Sequence, residues 1–155
     1  MRHKKAPKRT IAPDPKFGST DVAKFTNYIM ERGKKSTAMR LMHGAFARIA
    51  EVSKKDALEI FDEAIKNVGP TLEVRSKRVG GANYQIPFPV RPERRFFLAS
   101  KWLIDAAHAK KGAAMAVKLA DELINAAKGE GAAVKKRQDV HRMAEANKAF
   151  AHFAR

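Results

Sequence analysis

The chain has 155 residues, no cysteine, 45% hydrophobic residues, and 32 Lys and Arg against 16 Asp and Glu, a formal charge of +16. The absence of thiols excludes disulfides and thiolate metal sites, and the length fits a single domain, 1–155, that folds by burial alone, since a chain of this size buries roughly 68–70% of its unfolded surface. No apolar run reaches the roughly 20 residues of a membrane span, and the basic start Met1-Arg2-His3-Lys4-Lys5 leads into Pro7-Lys8-Arg9 instead of a signal's apolar stretch; the expectation is a cytoplasmic, unprocessed protein whose surplus charge serves an anionic partner, polyphosphate foremost.

Residues 1–18 predict an extended basic arm: Pro7, Pro13 and Pro15 forbid a helix, and Arg2, Lys4, Lys5, Lys8, Arg9 and Lys16 forbid burial. Asp14-Pro15-Lys16-Phe17-Gly18 closes it as a turn, with Phe17 as an anchor. A first helix starts at Ser19 or Thr20 as N-cap, sets Val22, Phe25 and Ile29 on one face, and takes Gly33 as its C′ residue. The second runs from about Ser36 to Val52 with the stripe Ala38, Met42, Ala45, Phe46 and Ile49. The third opens at Asp56, with Glu59 three residues on, turns Ile60, Phe61, Ala64, Ile65 and Val68 inward, and ends at Gly69-Pro70.

The period then switches from 3.6 to 2. Residues 71–79 read as a strand, Gly80-Gly81-Ala82-Asn83 as a turn and 84–90 as a returning strand. Pro87 and Pro89 remove N–H donors from one edge of that strand, so it is an outer strand of an isolated two-stranded ribbon. A lone hairpin is marginal in water, so it must lean on the body at its base or on a partner at its tip. Pro92 suits position N1 of a fourth helix. Phe96, Phe97, Leu98, Ala99, Trp102, Leu103, Ile104, Ala106 and Ala107 make that helix apolar nearly all round, the pattern of a buried bundle centre, and Lys110-Lys111-Gly112 ends it. A fifth helix carries Met115, Leu119, Leu123, Ile124 and Ala127 and stops near Gly129; a sixth runs from about Ala132 to the end. The predicted fold is mainly α, a six-helix bundle with a two-stranded antiparallel β-ribbon arm (71–91) between helices three and four, and with helices four to six in 92–155.

The charge is uneven. Asp56, Glu59, Asp62 and Glu63 make the third helix acidic. Cations gather on the ribbon (Arg75, Lys77, Arg78), at its junction with the fourth helix (Arg91, Arg94, Arg95), after that helix (Lys110, Lys111), at the start of the sixth helix (Lys135, Lys136, Arg137, Arg142) and at the second helix's start (Lys34, Lys35). Cations at a helix N-terminus oppose the macrodipole by about 0.3–1 kcal/mol each. Two such starts point to phosphate docking there, on the free N–H groups and the side chains together. DNA-bending proteins also combine a helical body with a two-stranded arm, but those arms carry an apolar wedge near the tip. Here the tip is glycine-rich, and Tyr84 beside Arg78 is placed to stack on an unpaired base. This leans towards RNA and leaves DNA open.

No catalytic or cofactor pattern emerges. Gly33-Lys34-Lys35-Ser36-Thr37 resembles the end of a phosphate-binding loop, but Tyr28 stands where the first Gly belongs and Lys35 where Ser or Thr belongs. His3, His43, His108, His141 and His152 lack metal spacing. His141 and Glu145, one helical turn apart, read as a surface contact or hydrogen bond rather than an acid–base pair. The expectation is no enzyme, no metal and no cofactor.

Two long runs and two short ones resemble a known family. Arg75-Ser76-Lys77-Arg78-Val79-Gly80-Gly81-Ala82-Asn83-Tyr84-Gln85, leading to Val90-Arg91-Pro92, and Ala133-Val134-Lys135-Lys136-Arg137-Gln138-Asp139-Val140-His141-Arg142-Met143-Ala144-Glu145-Ala146-Asn147-Lys148-Ala149-Phe150-Ala151-His152, with Pro13-Asp14-Pro15-Lys16-Phe17-Gly18 and Gly33-Lys34-Lys35-Ser36-Thr37, are similar to the bacterial form of small-subunit ribosomal protein seven. The resemblance covers essentially the whole chain. It implies the fold read above and binding to a multi-helix junction in the 3′ major domain of small-subunit rRNA. It also implies a role in nucleating the subunit head, an arm near exit-site tRNA and the mRNA path, and a C-terminal helix beside neighbouring small-subunit protein eleven. Carried over by motif, Lys34, Lys35, Arg75, Arg78, Arg91, Arg94 and Arg95 line the rRNA face, and Gly80, Gly81, Asn83 and Tyr84 sit at the arm tip.

Overall fold

The computed structural model describes residues 9–154. In chain order it forms α1 (Thr20–Ile29), α2 (Lys35–Ser53), α3 (Ala57–Val68), β1 (Leu72–Val79), β2 (Ala82–Pro89), α4 (Pro92–Ala109), α5 (Met115–Ala127), α6 (Ala132–Ala146) and a C-terminal 3-10 segment (Lys148–Ala154). The protein is mainly helical, with one antiparallel two-stranded sheet between α3 and α4, as the switch of period predicts. Its contacts fall into two compact units, one ending at Arg40 and the other beginning at Leu41. The arm cations Arg2, Lys4, Lys5 and Lys8 lie outside the described residues.

In the first unit, residues 9–13 carry no helix or strand and Arg9 is exposed. The predicted turn forms around buried Asp14, whose Oδ1 accepts the N–H groups of Lys16 (2.9 Å) and Phe17 (3.2 Å). Ser19 caps α1, accepting from the Val22 N–H at 3.4 Å. The helix ends earlier than a C′ glycine at position 33 requires. The stripe of Val22, Phe25 and Ile29 meets only Arg32 and Gly33 at its next positions, so nothing apolar prolongs it. Arg32 (φ 50) and Gly33 (φ 75) instead form the turn into α2.

In the second unit, α3 packs on α5, and α4 packs on α3, α5 and α6. Phe46 of α2 meets Phe61 of α3 at 5.7 Å between ring centroids. With Ile49, Leu103, Leu119 and Leu123 these rings are fully buried, each worth about 1.5–3 kcal/mol over exposure. The α4 helix is not a buried centre. Ala99, Ser100, Leu103, Ile104 and Ala107 are buried, but Lys101, Asp105 and His108 stand exposed on the other side, and Phe96, Phe97 and Trp102 are half-buried. The run of apolar letters concealed an ordinary amphipathic helix because three polar positions fall on one face.

Helix ends are held by side chains, some local and some from other elements. Asp56 caps α3, its Oδ1 accepting from the Leu58 N–H at 3.0 Å. At the other end of α3, Arg95 of α4 donates to the carbonyls of Gly69 (3.1 Å) and Lys66 (3.3 Å). A methyl at Gly69 would lie 2.7 Å from the Arg95 Nε, so the guanidinium's approach requires glycine there. Asn67 of α3 donates in turn to the last carbonyls of α5, Ala126 and Ala127, at 3.1 and 2.8 Å. The α5 terminus is completed by Gly129 (φ 82) with the N–H of Glu130 on the Asn125 carbonyl and that of Gly129 on the Ala126 carbonyl, a Schellman end.

The ribbon pairs Leu72 with Pro89 through Val79 with Ala82. Its turn is shorter than predicted. Gly80 (φ 57) and Gly81 (φ 91) alone make a two-residue turn, because two positive-φ residues match the strand twist, and Ala82 and Asn83 are already paired. Among the described residues no third strand joins β2, in keeping with the donors that Pro87 and Pro89 lack. The ribbon leans on more than its base: α6 contacts both strands, and the 3-10 segment lies against β2. The sixth helix therefore does not continue to the end. It stops at Asn147 (φ −100, ψ 13). Beyond that point Phe150 and Phe153, three residues apart, fall on one side of a helix with three residues per turn.

Candidate nucleic-acid interface

The cations expected to contact phosphate separate into two groups once their partners are known. Those of the first group are engaged within the protein. Arg75 and Arg94 close on Glu73, which is only 8% exposed: Arg75 Nε donates to Oε1 at 2.7 Å, its second nitrogen contacts the same oxygen, and Arg94 Nε donates to Oε2 at 3.3 Å. Burial alone raises the Glu73 pKa, but the hydrogen bonds and charges of Arg75 and Arg94 outweigh it and hold the carboxyl below its ordinary range. Arg75 also lies over the Phe88 ring at 5.4 Å and Arg94 over Phe97 at 5.2 Å. Arg95 caps α3, Lys77 Nζ donates to the Phe153 carbonyl at 2.9 Å, and Lys110 Nζ pairs with Glu122 at 2.7 Å. Arg137 is half-buried, its Nε enclosed without a hydrogen-bond partner among the described residues.

The second group faces solvent. In the first unit Lys34 and Lys35 are exposed at the start of α2, whose first turn holds no acidic residue. In the second unit Arg78, Arg91, Lys111, Lys135 and Lys136 are exposed, with side chains in no ion pair among the described residues. Arg142, its side chain 78% exposed, reaches Asp139 at 3.6 Å, a loose pair that an anion can displace. Lys135 and Arg142 are seven residues apart and share one face of α6, opposite buried Ala133, Val134 and Ala144.

The N-terminus of α6 needs no external anion. Glu122 of α5, 1% exposed, accepts the Ala133 N–H on Oε1 at 3.1 Å and the Lys110 ammonium on Oε2 at 2.7 Å. Its carboxylate meets the helix's positive end, where a negative charge is stabilising. Gly131 (φ 99) lets the two meet, since a Cβ there would lie 2.8 Å from Glu122 Oε1. The basic start of α6 is thus compensated from inside the protein, and Lys135 and Lys136, beyond the first turn, remain outward.

At the arm tip, Gly80, Gly81 and Asn83 are exposed. Tyr84 is not beside Arg78. Its cross-strand partner is Lys77, while Arg78 pairs with Asn83 on the opposite face. Nor is the Tyr84 ring open for stacking, because Phe150 and Phe153 lie 5.1 and 5.6 Å from it. A one-residue offset in a strand reverses the face, which the sequence reading of adjacent letters overlooked. At the ribbon's root, the Thr71 N–H donates to His141 Nε2 at 3.1 Å, so the ring accepts there and is neutral. Burial and the nearby charges of Arg137 and Arg95 hold its pKa below the ordinary histidine value. His141 thus bonds to Thr71 at the ribbon's root, a partner that its spacing from Glu145 did not indicate.

Sequence reasoning missed Glu73, Glu122, Phe150 and Phe153. Glu122 had a readable signal: it lies three residues after Leu119 and four before Ala126, on the buried stripe of α5, where a lone carboxylate demands a partner.

Comparison with known proteins gives the family. The family model described as Ribosomal protein S7p/S5e matches residues 1–148. The chain is 57% identical over 152 residues to the small ribosomal subunit protein uS7 of Aromatoleum aromaticum, covering 98% of this chain and 97% of that protein. It is 56% identical, with the same coverage, to the protein of that name from Chromohalobacter salexigens, and 57% identical to that of Polynucleobacter necessarius. The chain belongs to the ribosomal protein S7p/S5e family, and so to the structural proteins of the ribosome rather than to the enzymes.

Proposed function

We propose that the chain is a structural constituent of the small ribosomal subunit that binds folded small-subunit rRNA directly. In this reading it is a primary binder of the 3′ major domain and nucleates assembly of the subunit head in the cytoplasm. Its arm lies near exit-site tRNA and the mRNA path, and its C-terminal helix lies beside small-subunit protein eleven. The observation that carries the reading is the set of exposed cations without ion pairs among the described residues on the ribbon, its root and α6, namely Arg78, Arg91, Lys135 and Lys136. They sit in a chain of net charge +16 whose family members are ribosomal. In the first unit Lys34 and Lys35 offer a second cationic patch at a helix N-terminus. Arg75, Arg94, Arg95 and Lys110 support this surface by fixing the ribbon and helix ends. Protection mapping of small-subunit rRNA with the purified protein tests the reading. Protection confined to a junction of the 3′ major domain is expected. Equal affinity for duplex DNA in competition would overturn it.

A further inference from the structure

The C-terminal segment covers Tyr84, the aromatic ring nearer the tip of the arm. Phe150 and Phe153 face Tyr84 at 5.1 and 5.6 Å, and the Phe153 carbonyl takes a hydrogen bond from Lys77, the cross-strand partner of Tyr84. The segment is weakly built. Seven residues of 3-10 helix exceed the three or four that such geometry usually sustains, and Asn147 separates it from α6. It also spans a gap: a cleft of about 530 Å³ opens between Leu72, Pro87 and Pro89 of the ribbon and His141, Ala144, Lys148 and Ala151. Lifting the segment breaks the two ring contacts on Tyr84, the Lys77 hydrogen bond and the rest of its packing on β2, and exposes a tyrosine next to a lysine, the pair that stacks an unpaired base and holds its phosphate.

We infer that the C-terminal segment is a latch on the arm, seated on Tyr84 in the free protein and displaced by single-stranded RNA, so that the arm takes an unpaired base only as the segment lifts. This rests on the RNA-binding reading above and adds to it a competition within the chain. A ligand that binds only the open form has its apparent affinity reduced by the fraction of molecules that are open. Loosening the latch should therefore tighten binding.

The test uses the full-length chain and its F150A/F153A double variant, titrated with a single-stranded uridine decamer and separately with a folded 3′ major-domain rRNA fragment. The variant is expected to bind the decamer about 3–10-fold more tightly than the parent. In the parent, amide exchange at residues 149–153, where the Phe150 N–H is held by the Asn147 carbonyl at 3.0 Å, is expected to accelerate when the decamer is saturating. Unchanged or weaker decamer binding by the variant, or exchange that stays the same or slows, overturns the latch. If the variant does not fold, the exchange measurement on the parent decides alone. Failure of the parent to bind the folded fragment would instead defeat the RNA-binding reading itself.

Discussion

Replacing Glu122 should loosen the joint between α4, α5 and α6. Its carboxylate is 1% exposed and serves two partners, the Ala133 N–H at 3.1 Å and Lys110 at 2.7 Å. Glu122→Ala removes a capping bond worth about 1 kcal/mol and the favourable charge at the start of α6, about 0.3–1 kcal/mol. The Lys110 side chain is 34% exposed and regains water when freed, so the ion pair is worth about 1 kcal/mol rather than the value for a fully enclosed pair. One lost methylene adds about 0.8 kcal/mol. Against these stands the desolvation that the buried carboxylate no longer suffers, leaving a net loss of about 2–3 kcal/mol. At about 2–4 °C per kcal/mol for a domain of this size, Tm should fall by roughly 5–10 °C. Glu122→Gln keeps an acceptor for Ala133 and loses the charge, so it should cost about half as much. Calorimetry on the three proteins, with Lys110→Ala and the Lys110→Ala/Glu122→Gln double variant closing the cycle, provides the assay. A Glu122→Ala protein melting within about 1 °C of the parent would refute the reasoning.

Other perturbations follow from the same contacts. Gly131→Ala forces a Cβ to within 2.8 Å of Glu122 Oε1 at φ 99 and should cost about 1–3 kcal/mol in urea unfolding, less when Glu122 is already Ala. Acid should destabilise the fold in two steps. A neutral His141, its pKa held below the ordinary 6.5, contributes stability that is present above that value and lost as pH falls through its folded value. Glu73, held below 4.5, contributes stability that is lost only at lower pH. His141→Gln should therefore flatten the pH dependence just below 6.5 and leave the lower step in place. Arg95→Ala should lower Tm by removing two bonds to the end of α3, about 1–3 kcal/mol, whereas Lys135→Ala/Lys136→Ala should leave Tm within about 1 °C while weakening RNA binding.

Much of the fold was legible because the signals were local. Ser19 and Asp56 announced their helices by capping chemistry, and Pro92 marked the start of α4. Pro87 and Pro89 marked an outer strand before any pairing was known. The candidate interface was legible only as a list of cations, since a single lysine or arginine looks alike in sequence whether it serves an anion or a helix end. Arg95 and Lys110 proved to hold carbonyls and a buried carboxylate, and Arg75 and Arg94 to enclose Glu73, through contacts with partners up to 29 residues away. The Phe150 and Phe153 contacts with Tyr84 join distant parts of the chain, and no local pattern encodes them. For the same reason Arg78 is a cleaner probe of the arm than Arg75 or Lys77, whose loss would also unseat Glu73 or the C-terminal segment.

The central claim is that exposed cations on the ribbon, its root and α6 neutralise rRNA phosphates. The most direct measurement is the affinity for a folded 3′ major-domain rRNA fragment as a function of salt, for the parent chain and for single Ala variants at Arg78, Arg91, Lys135 and Lys136. Log affinity should fall linearly with log salt, by about 0.7–0.9 for each phosphate contacted. Each variant should make that slope shallower by about 1. A slope near zero in the parent, or four variants that bind with the parent's affinity and slope, would contradict the account.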